Sequence, residues 1–217
     1  MDLSELTQKL LSMAGRAEAA VTDATSALIE RDYGLALRVN ENDRILDQLE
    51  IEIDDLAVHL LAKAPLARDL RFVMVAIKIS QNLERVGDEA AKIAKRARDL
   101  SQEAPLKLNV DLAGMEQLVL SMLKSALDAF VQRDPALARS VIPLDKEVDN
   151  LNKQISKAIA EHMAEKPDTI PRCLHLLTVS KSLERIADHA KNLAEEVVYL
   201  CEAVDIRHSR RLPAAQS

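Results

Sequence analysis

Hydrophobic residues in this chain return every three or four positions, with polar residues between them. The clearest run is Phe72, Ala76, Ile79, Leu83, Val86, Ala90, Ile93, Ala97 and Leu100. That spacing puts one apolar stripe on an α-helix and matches the seam of a left-handed antiparallel bundle. A second run follows the same rule at Leu176, Val179, Leu183, Ile186, Ala190, Leu193, Val197 and Leu200. Shorter seams run through Leu46, Leu49, Ile53, Leu56 and Leu60, and through Val148, Leu151, Ile155 and Ala158. Breaks fall at Asp32-Tyr33-Gly34, Ala64-Pro65, Ala104-Pro105, Asp134-Pro135 and Lys166-Pro167. They predict six helices, over about 3–31, 35–63, 66–102, 110–132, 136–165 and 171–204. Asp134-Pro135 reads as an N-cap followed by proline in the first helical position. Pro143 lies inside the fifth stretch, where it should kink the helix or delay its start.

The pattern is written twice. Arg31-Asp32 aligns with Arg133-Asp134, and at the same shift Val39, Asp43, Asp47, Leu49 and Ile53 meet Val141, Asp145, Asp149, Leu151 and Ile155. Further on, Ser80 meets Ser180, Leu83-Glu84-Arg85 meets Leu183-Glu184-Arg185, and Asp88, Ala90 and Ala94 meet Asp188, Ala190 and Ala194. Polar positions match as well as apolar ones, which a generic helical pattern would not produce. The expected fold is therefore all-α: two tandem three-helix bundles related by an internal repeat. Residues 1–104 form the first bundle and 105–205 the second, and a tail over 206–217, without apolar period, is expected to be disordered.

Composition narrows the reading. The 217 residues are 48% hydrophobic but only 2% aromatic, with no Trp and four Gly. This suits helices and is too poor in glycine for a turn-rich β fold. The formal net charge of −6 argues against general binding to a nucleic-acid backbone. The basic tail with Arg207, Arg210 and Arg211 is too short to reverse that. Cys173 and Cys201 have neither zinc-knuckle spacing nor the number for a disulfide framework, and read as small hydrophobes. No apolar run reaches the ~18 residues of a membrane span. The acidic start Met1-Asp2-Leu3-Ser4-Glu5 lacks a signal-peptide pattern. A cytoplasmic protein is expected, meeting membranes only through partners.

Charge placement changes the picture more than charge total. Asp43 and Asp47, Glu84 and Asp88, Asp145 and Asp149, and Glu184 and Asp188 are all carboxylate pairs four residues apart. Residues four apart stand one above the other on a helix, and like charges there cost about 0.2–0.5 kcal/mol. At about 100° per residue, Glu84 and Asp88 fall on the side of their helix away from the apolar seam, and Asp43 and Asp47 on the flank of theirs. The pairs belong to an outer surface, where the second and third helices of each bundle run side by side. Converging carboxylates suit hard or borderline cations and can bridge more than one ion. The alternative is a solvated charged face paired with Arg44, Arg85, Lys146 and Arg185. His189 follows Asp188 where the first copy has Glu89, so it is a candidate nitrogen ligand or a surface histidine. His59, His162, His175 and His208 show no ligand spacing.

The residues around these acids resemble a known family. Leu83-Glu84-Arg85-Val86-Gly87-Asp88-Glu89-Ala90 and Leu183-Glu184-Arg185-Ile186-Ala187-Asp188-His189-Ala190 look like the twin signature of the PhoU family of phosphate-transport regulators. Ala64-Pro65-Leu66-Ala67-Arg68-Asp69-Leu70-Arg71 resembles the segment preceding the first signature. The resemblance spans nearly the whole chain, to about residue 205. It implies two three-helix bundles without catalytic activity, and multinuclear clusters of divalent or trivalent metal ions on the bundle surface. Iron, zinc, manganese, magnesium and calcium are all compatible. The ligands so implied are Asp43, Asp47, Glu84 and Asp88, and Asp145, Asp149, Glu184 and Asp188. It further implies a cytoplasmic negative regulator of phosphate uptake and of the phosphate-starvation response; an elongated pair of bundles could also form a homodimer. Its partners would be a phosphate-sensing histidine kinase and the ATPase subunit of a phosphate ABC transporter. Ala187 in place of Gly87, and Asp168-Thr169-Ile170-Pro171-Arg172 in place of the Pro-Leu-Ala-Arg-Asp segment, are departures in the second copy.

Two other functions compete. A ferritin-like di-metal oxidase builds its site inside a four-helix core from Glu-x-x-His motifs. Here the seams are apolar and no His has a Glu three residues before it. A metal-free helical scaffold or adaptor would need the seams but gives no reason to repeat the acids.

Overall fold

The computed structural model describes residues 3–62 and 66–207. Among the described residues seven α-helices run in the order α1 (Ser4–Glu30), α2 (Tyr33–Leu61), α3 (Ala67–Ser101), α4 (Leu112–Gln132), α5 (Pro135–Val141), α6 (Asp145–Glu165) and α7 (Ile170–Glu202). α1, α2 and α3 pack on one another as the first bundle, and α4, α5–α6 and α7 as the second. The two bundles join mainly along α3 and α7, with α1 against α4 beside them. The expected all-α repeat is what the chain forms. The expected break at Ala64-Pro65 and the chain beyond Arg207 lie outside the described residues.

Local chemistry accounts for the helix ends. Asp32 accepts a hydrogen bond from the Leu35 amide at 2.9 Å, and Asp134 accepts from Ala136 and Leu137 at 2.8 and 3.0 Å. Both satisfy first-turn donors that the helix itself leaves orphaned. Pro135 stands in the first turn, as its fixed φ favours. Pro143 breaks the fifth stretch: α5 ends at Val141, Ile142–Leu144 tighten into a 3-10 turn, and α6 resumes at Asp145. α1 and α4 end alike. Arg31 (φ 58°) and Arg133 (φ 52°) adopt the left-handed conformation, and the following amides close back on Ala27 and Ala129. Non-glycine residues in that region carry strain, and each arginine is tethered. Arg31 donates to the carbonyls of Leu100 and Glu103, and Arg133 sits 5.1 Å above the Phe72 ring.

The seams are buried as predicted along α3, where Leu83 and Val86 are fully enclosed, and along α7, where Leu183 and Ile186 are. The shorter seams turn by one residue near their ends. Ala57 and Ile159 are buried where Leu56 and Ala158 were expected, because the stripe continues from Ile53 and Ile155 by four residues rather than three. Leu176 is half-buried. Phe72 and Phe130 stack across the bundle boundary at 5.9 Å between ring centres. Polar links cross there too: Lys78 to Glu196 at 3.0 Å, Arg185 to Glu89 at 3.2 Å, and Thr25 to Glu116 at 2.5 Å. Ile206 packs against the core and Arg207 pairs with Glu196, so the ordered chain reaches two residues into the expected tail. Cys173 is buried and Cys201 half-buried, both as free thiols. Among the described residues, no helix is long and apolar enough to cross a membrane.

Candidate metal-binding faces

α2 and α3 run antiparallel, and their close approach is set by Gly87. A Cβ there would stand 2.3 Å from Leu46 Cδ1 and 3.3 Å from Asp43 Oδ1. With Leu46 seated on Gly87, the acidic flanks of the two helices meet. Asp43 feels Asp47 and Asp88, and Glu84 feels Asp88, Glu50 and Asp47. All four expected residues of the first face are thus brought together, off the seam, where phase placed them. Asp43 and Glu84 are half-buried, and Asp47 and Asp88 are exposed.

The electrostatic result is a strained set of acids. Desolvation, reinforced by Asp88, Glu50 and Asp47, pushes the Glu84 carboxyl up to about 7 against a weaker opposing pull from Arg85. Burial raises Asp43 as well, helped by Asp47 and Asp88 and opposed by Lys92. Two further acids belong here that sequence reading missed. Glu50 is raised by its own burial and by Asp54, Asp47 and Asp88. Asp54 Oδ1 is buried without a hydrogen-bond partner. The signal was present in the chain: Asp43, Asp47, Glu50 and Asp54 follow one another by four, three and four residues, a continuous stripe down one flank of α2.

The second face is built from the same positions and filled differently. Ala187 stands at the position of Gly87 and is fully buried, and Val148, fully buried too, stands at the position of Leu46. Asp188 lies beside Asp145, and burial followed by the Asp145 charge raises the Asp188 carboxyl. Lys191 reaches into the pair, 2.7 Å from Asp145 Oδ2 and 3.8 Å from Asp188 Oδ1. Glu184 pairs with Lys181 at 2.5 Å, and Asp149 lies half-buried one turn beyond Asp145. Where the first face has Glu50 and Asp54, the second has Asn152 and Ser156, and Asn152 Oδ1 accepts from the Ser180 hydroxyl at 2.6 Å. His189 does not join this face. Its Nδ1 lies 3.0 Å from Asn82 Oδ1 in the contact between bundles, where burial and Arg85 lower its pKa.

Carboxylate chemistry on the first face fits a cation: the groups are close, partly desolvated and mutually repelling. In the arrangement seen, no three His, Cys, Asp or Glu side chains among the described residues stand near enough to close around one ion. Side-chain rotation would be needed to complete a coordination shell.

A duplicated helical-bundle protein with an acidic face on each half is the class these features define. The family profile described as "PhoU domain" matches residues 10–97 and again 112–197, one match per bundle. The chain is 42% identical over 209 residues to a phosphate-specific transport system accessory protein PhoU homolog of Pseudomonas putida, covering 95% of this chain and 82% of that one. It is 41% identical to the homolog of Pseudomonas aeruginosa, covering 95% and 86%. The crystal structure of PhoU from Pseudomonas aeruginosa superposes with a TM-score of 0.91 at 41% identity, over 93% of this chain and 98% of that one. The phosphate transport system regulatory protein PhoU from Streptococcus pneumoniae superposes at 0.87 with 31% identity, over 94% and 97%. The chain belongs to the PhoU family.

Proposed function

We propose that this chain is a cytoplasmic negative regulator of phosphate uptake that binds metal ions on its acidic faces. The observation that carries the reading is the double family match laid over two carboxylate faces at corresponding positions. The relatives' names supply the setting, phosphate-specific transport. The partners proposed are a phosphate-sensing histidine kinase and the ATPase subunit of a phosphate ABC transporter. No residue arrangement described above calls for catalysis in this role.

Asp43, Asp47, Glu84 and Asp88, with Glu50 and Asp54 beside them, would hold the ion or ions of the first face. Asp145, Asp149, Glu184 and Asp188 would hold those of the second. A bound cation supplies positive charge that relieves the repulsion among these groups. The residues do the rest: α2 and α3 present opposed carboxylates, and Gly87 keeps the helices near enough for both to contribute. The second face carries its own cation in Lys191, which a bound ion would have to displace.

The test is the double variant Glu84→Ala with Glu184→Ala, purified for elemental analysis and assayed for repression of a phosphate-starvation reporter in cells lacking their own regulator. The proposal expects wild type to repress and to carry metal, and the variant to lose both. A wild-type chain that leaves the reporter derepressed overturns the regulator. Unchanged metal content in the variant overturns the site, and metal-free wild type favours the scaffold.

A further inference from the structure

α3 and α7 each carry two stripes at heptad spacing, on different faces. One is the buried seam. The other runs along the outside through Leu70, Met74, Ile77, Gln81, Glu84 and Asp88, at intervals of four, three, four, three and four. On α7 the same intervals run through Ile170, Leu174, Leu177, Lys181, Glu184 and Asp188. This is the spacing with which one helix receives another. In α3 the apolar end is open: Leu70 is 38% exposed and Met74 49%, and Leu66 one turn earlier is exposed too.

α2 supplies the other wall. Asp43 beside Asp88, and Asp47 and Glu50 beside Glu84, fix the antiparallel register. Continued along both helices, that register carries the α2 flank from Glu50 past Asp54 toward Leu61, alongside α3 from Ile77 toward Leu70. The result is a groove that is apolar at one end and acidic at the other. Its span from Leu70 to Asp88 is about 27 Å, or about five helical turns.

We propose that this α2–α3 groove receives an amphipathic helix from a partner protein, apolar at one end of its contact stripe and basic at the other. Charge complementarity selects the occupant. Six carboxylates line the acidic end, and Arg85 and Lys92 are the cations that bear on Asp43, Glu50 and Glu84. A helix with leucines alone would leave those acids unpaired, and an acidic one would be repelled. An anionic lipid surface is repelled for the same reason. The corresponding groove of the second bundle is a poorer receptor. Lys181 and Lys191 already pair with its acids, and Asn152 and Ser156 replace two of them. The inference rests on the reading that the chain acts by contacting other proteins, and it names the surface and the chemistry of that contact. Basic helix and metal would compete for the same carboxylates.

The experiment uses the full chain and a fluorescent 18-residue helical peptide with leucines on one half of its heptad stripe and lysines on the other half. A matched peptide carries glutamates in place of the lysines. Anisotropy should show saturable binding of the lysine peptide alone. Leu70→Glu with Met74→Glu should weaken it by about tenfold or more, and Glu50→Lys with Asp54→Lys by a similar factor. Leu174→Glu should change it less than about twofold. Addition of a divalent cation should weaken it. Equal binding of the glutamate peptide, or full binding by the Leu70/Met74 variant, overturns the proposal. So does a wild-type dimer in sedimentation that Met74→Glu dissociates, which would assign the groove to a second copy. In cells, loss of peptide binding with repression intact removes this groove from the regulatory contact. Failure of wild type to repress, by contrast, counts against the regulator itself.

Discussion

The two acidic faces began from one design, and they now differ in how they settle their charge. On the first, six carboxylates from α2 and α3 crowd together, and the Glu84 carboxyl is pushed up to about 7. On the second, Lys191 sits between Asp145 and Asp188, Lys181 holds Glu184, and neutral Asn152 and Ser156 stand where the first face has Glu50 and Asp54. The first half therefore gives up stability to keep its acids free, and the second is self-neutralised. A charge left unpaired at a surface is a charge free for something else to meet. Packing shows the same divergence with the opposite moral. Leu46 packs on Gly87, and the corresponding positions hold Val148 and Ala187, both fully buried, a smaller residue and a methyl in place of a large residue and none. The hydrophobic framework was conserved in volume while the polar face was not.

The seams should mark where the halves remain alike. Leu83→Ala and Leu183→Ala each remove a fully buried leucine and should each destabilise by about 2–5 kcal/mol. Chemical denaturation followed by circular dichroism measures both. Glu84→Ala in metal-free protein should lose little or gain stability, since it deletes a repelled charge. A loss from Glu84→Ala as large as from Leu83→Ala would show that the face and the core are not separate.

Metal should separate the halves. With free cation at about one hundred times its dissociation constant, binding adds about 2.7 kcal/mol through linkage. Thermal unfolding with and without divalent cation should show most of that gain removed by Glu50→Gln with Asp54→Asn and less of it by Asp149→Asn. Lys191→Met should raise the second half's share. Equal loss from either face would mean that the extra acids and Lys191 do not distinguish the sites.

Gly87→Ala should bring a smaller change. The new methyl collides with Leu46, and overpacking of this kind costs about 1–3 kcal/mol, against which the better helix propensity of alanine returns about 1. Adding Leu46→Val recreates the pair used by the second bundle and should recover much of the loss. The measurement is the chemical unfolding midpoint of the three proteins. A double variant no better than Gly87→Ala would break the argument that the pairs are equivalent solutions.

How legible was this in the sequence? The helices, the cap at Asp134, the break at Pro143 and the off-seam phase of Asp43, Asp47, Glu84 and Asp88 follow from local rules, since each depends on residues within one or two turns. The α3 stripe that ends in Glu84 and Asp88 was equally local, yet its apolar half at Leu70 and Met74 was not recognised as exposed. The placement of α1, α2 and α7 around α3 decides which of its faces stays open. Glu50 and Asp54 were missed because the second copy lacks them, so matching the repeats hid what one half alone possesses. His189 and Lys191 depend on tertiary placement: one turns into the bundle contact and the other reaches across to α6. No spacing rule gives such a reach.

The smallest effect, and the most specific to the first face, is its response to pH. The Glu84 carboxyl titrates near 7 when folded and near its ordinary value of 4.5 when unfolded. Between those values the folded protein holds the proton that the unfolded chain has released. Stability then falls as pH rises through the window, because the slope follows the difference in bound protons. Asp43, Glu50 and Asp188 are shifted upward and act in the same direction; Glu89, held low by Lys92, Ser182 and Arg185 against its burial, and His189, lowered by burial and Arg85, act in the opposite one. Metal-free protein should accordingly melt at a lower temperature at pH 8 than at pH 5.5, and Glu84→Gln should flatten the decline between them. Bound cation should flatten it too, since it favours the ionised form of the same group. If Glu84→Gln leaves the slope unchanged, the repulsion on the first face is relieved by solvent, and the contrast between the two faces reduces to Lys191 alone.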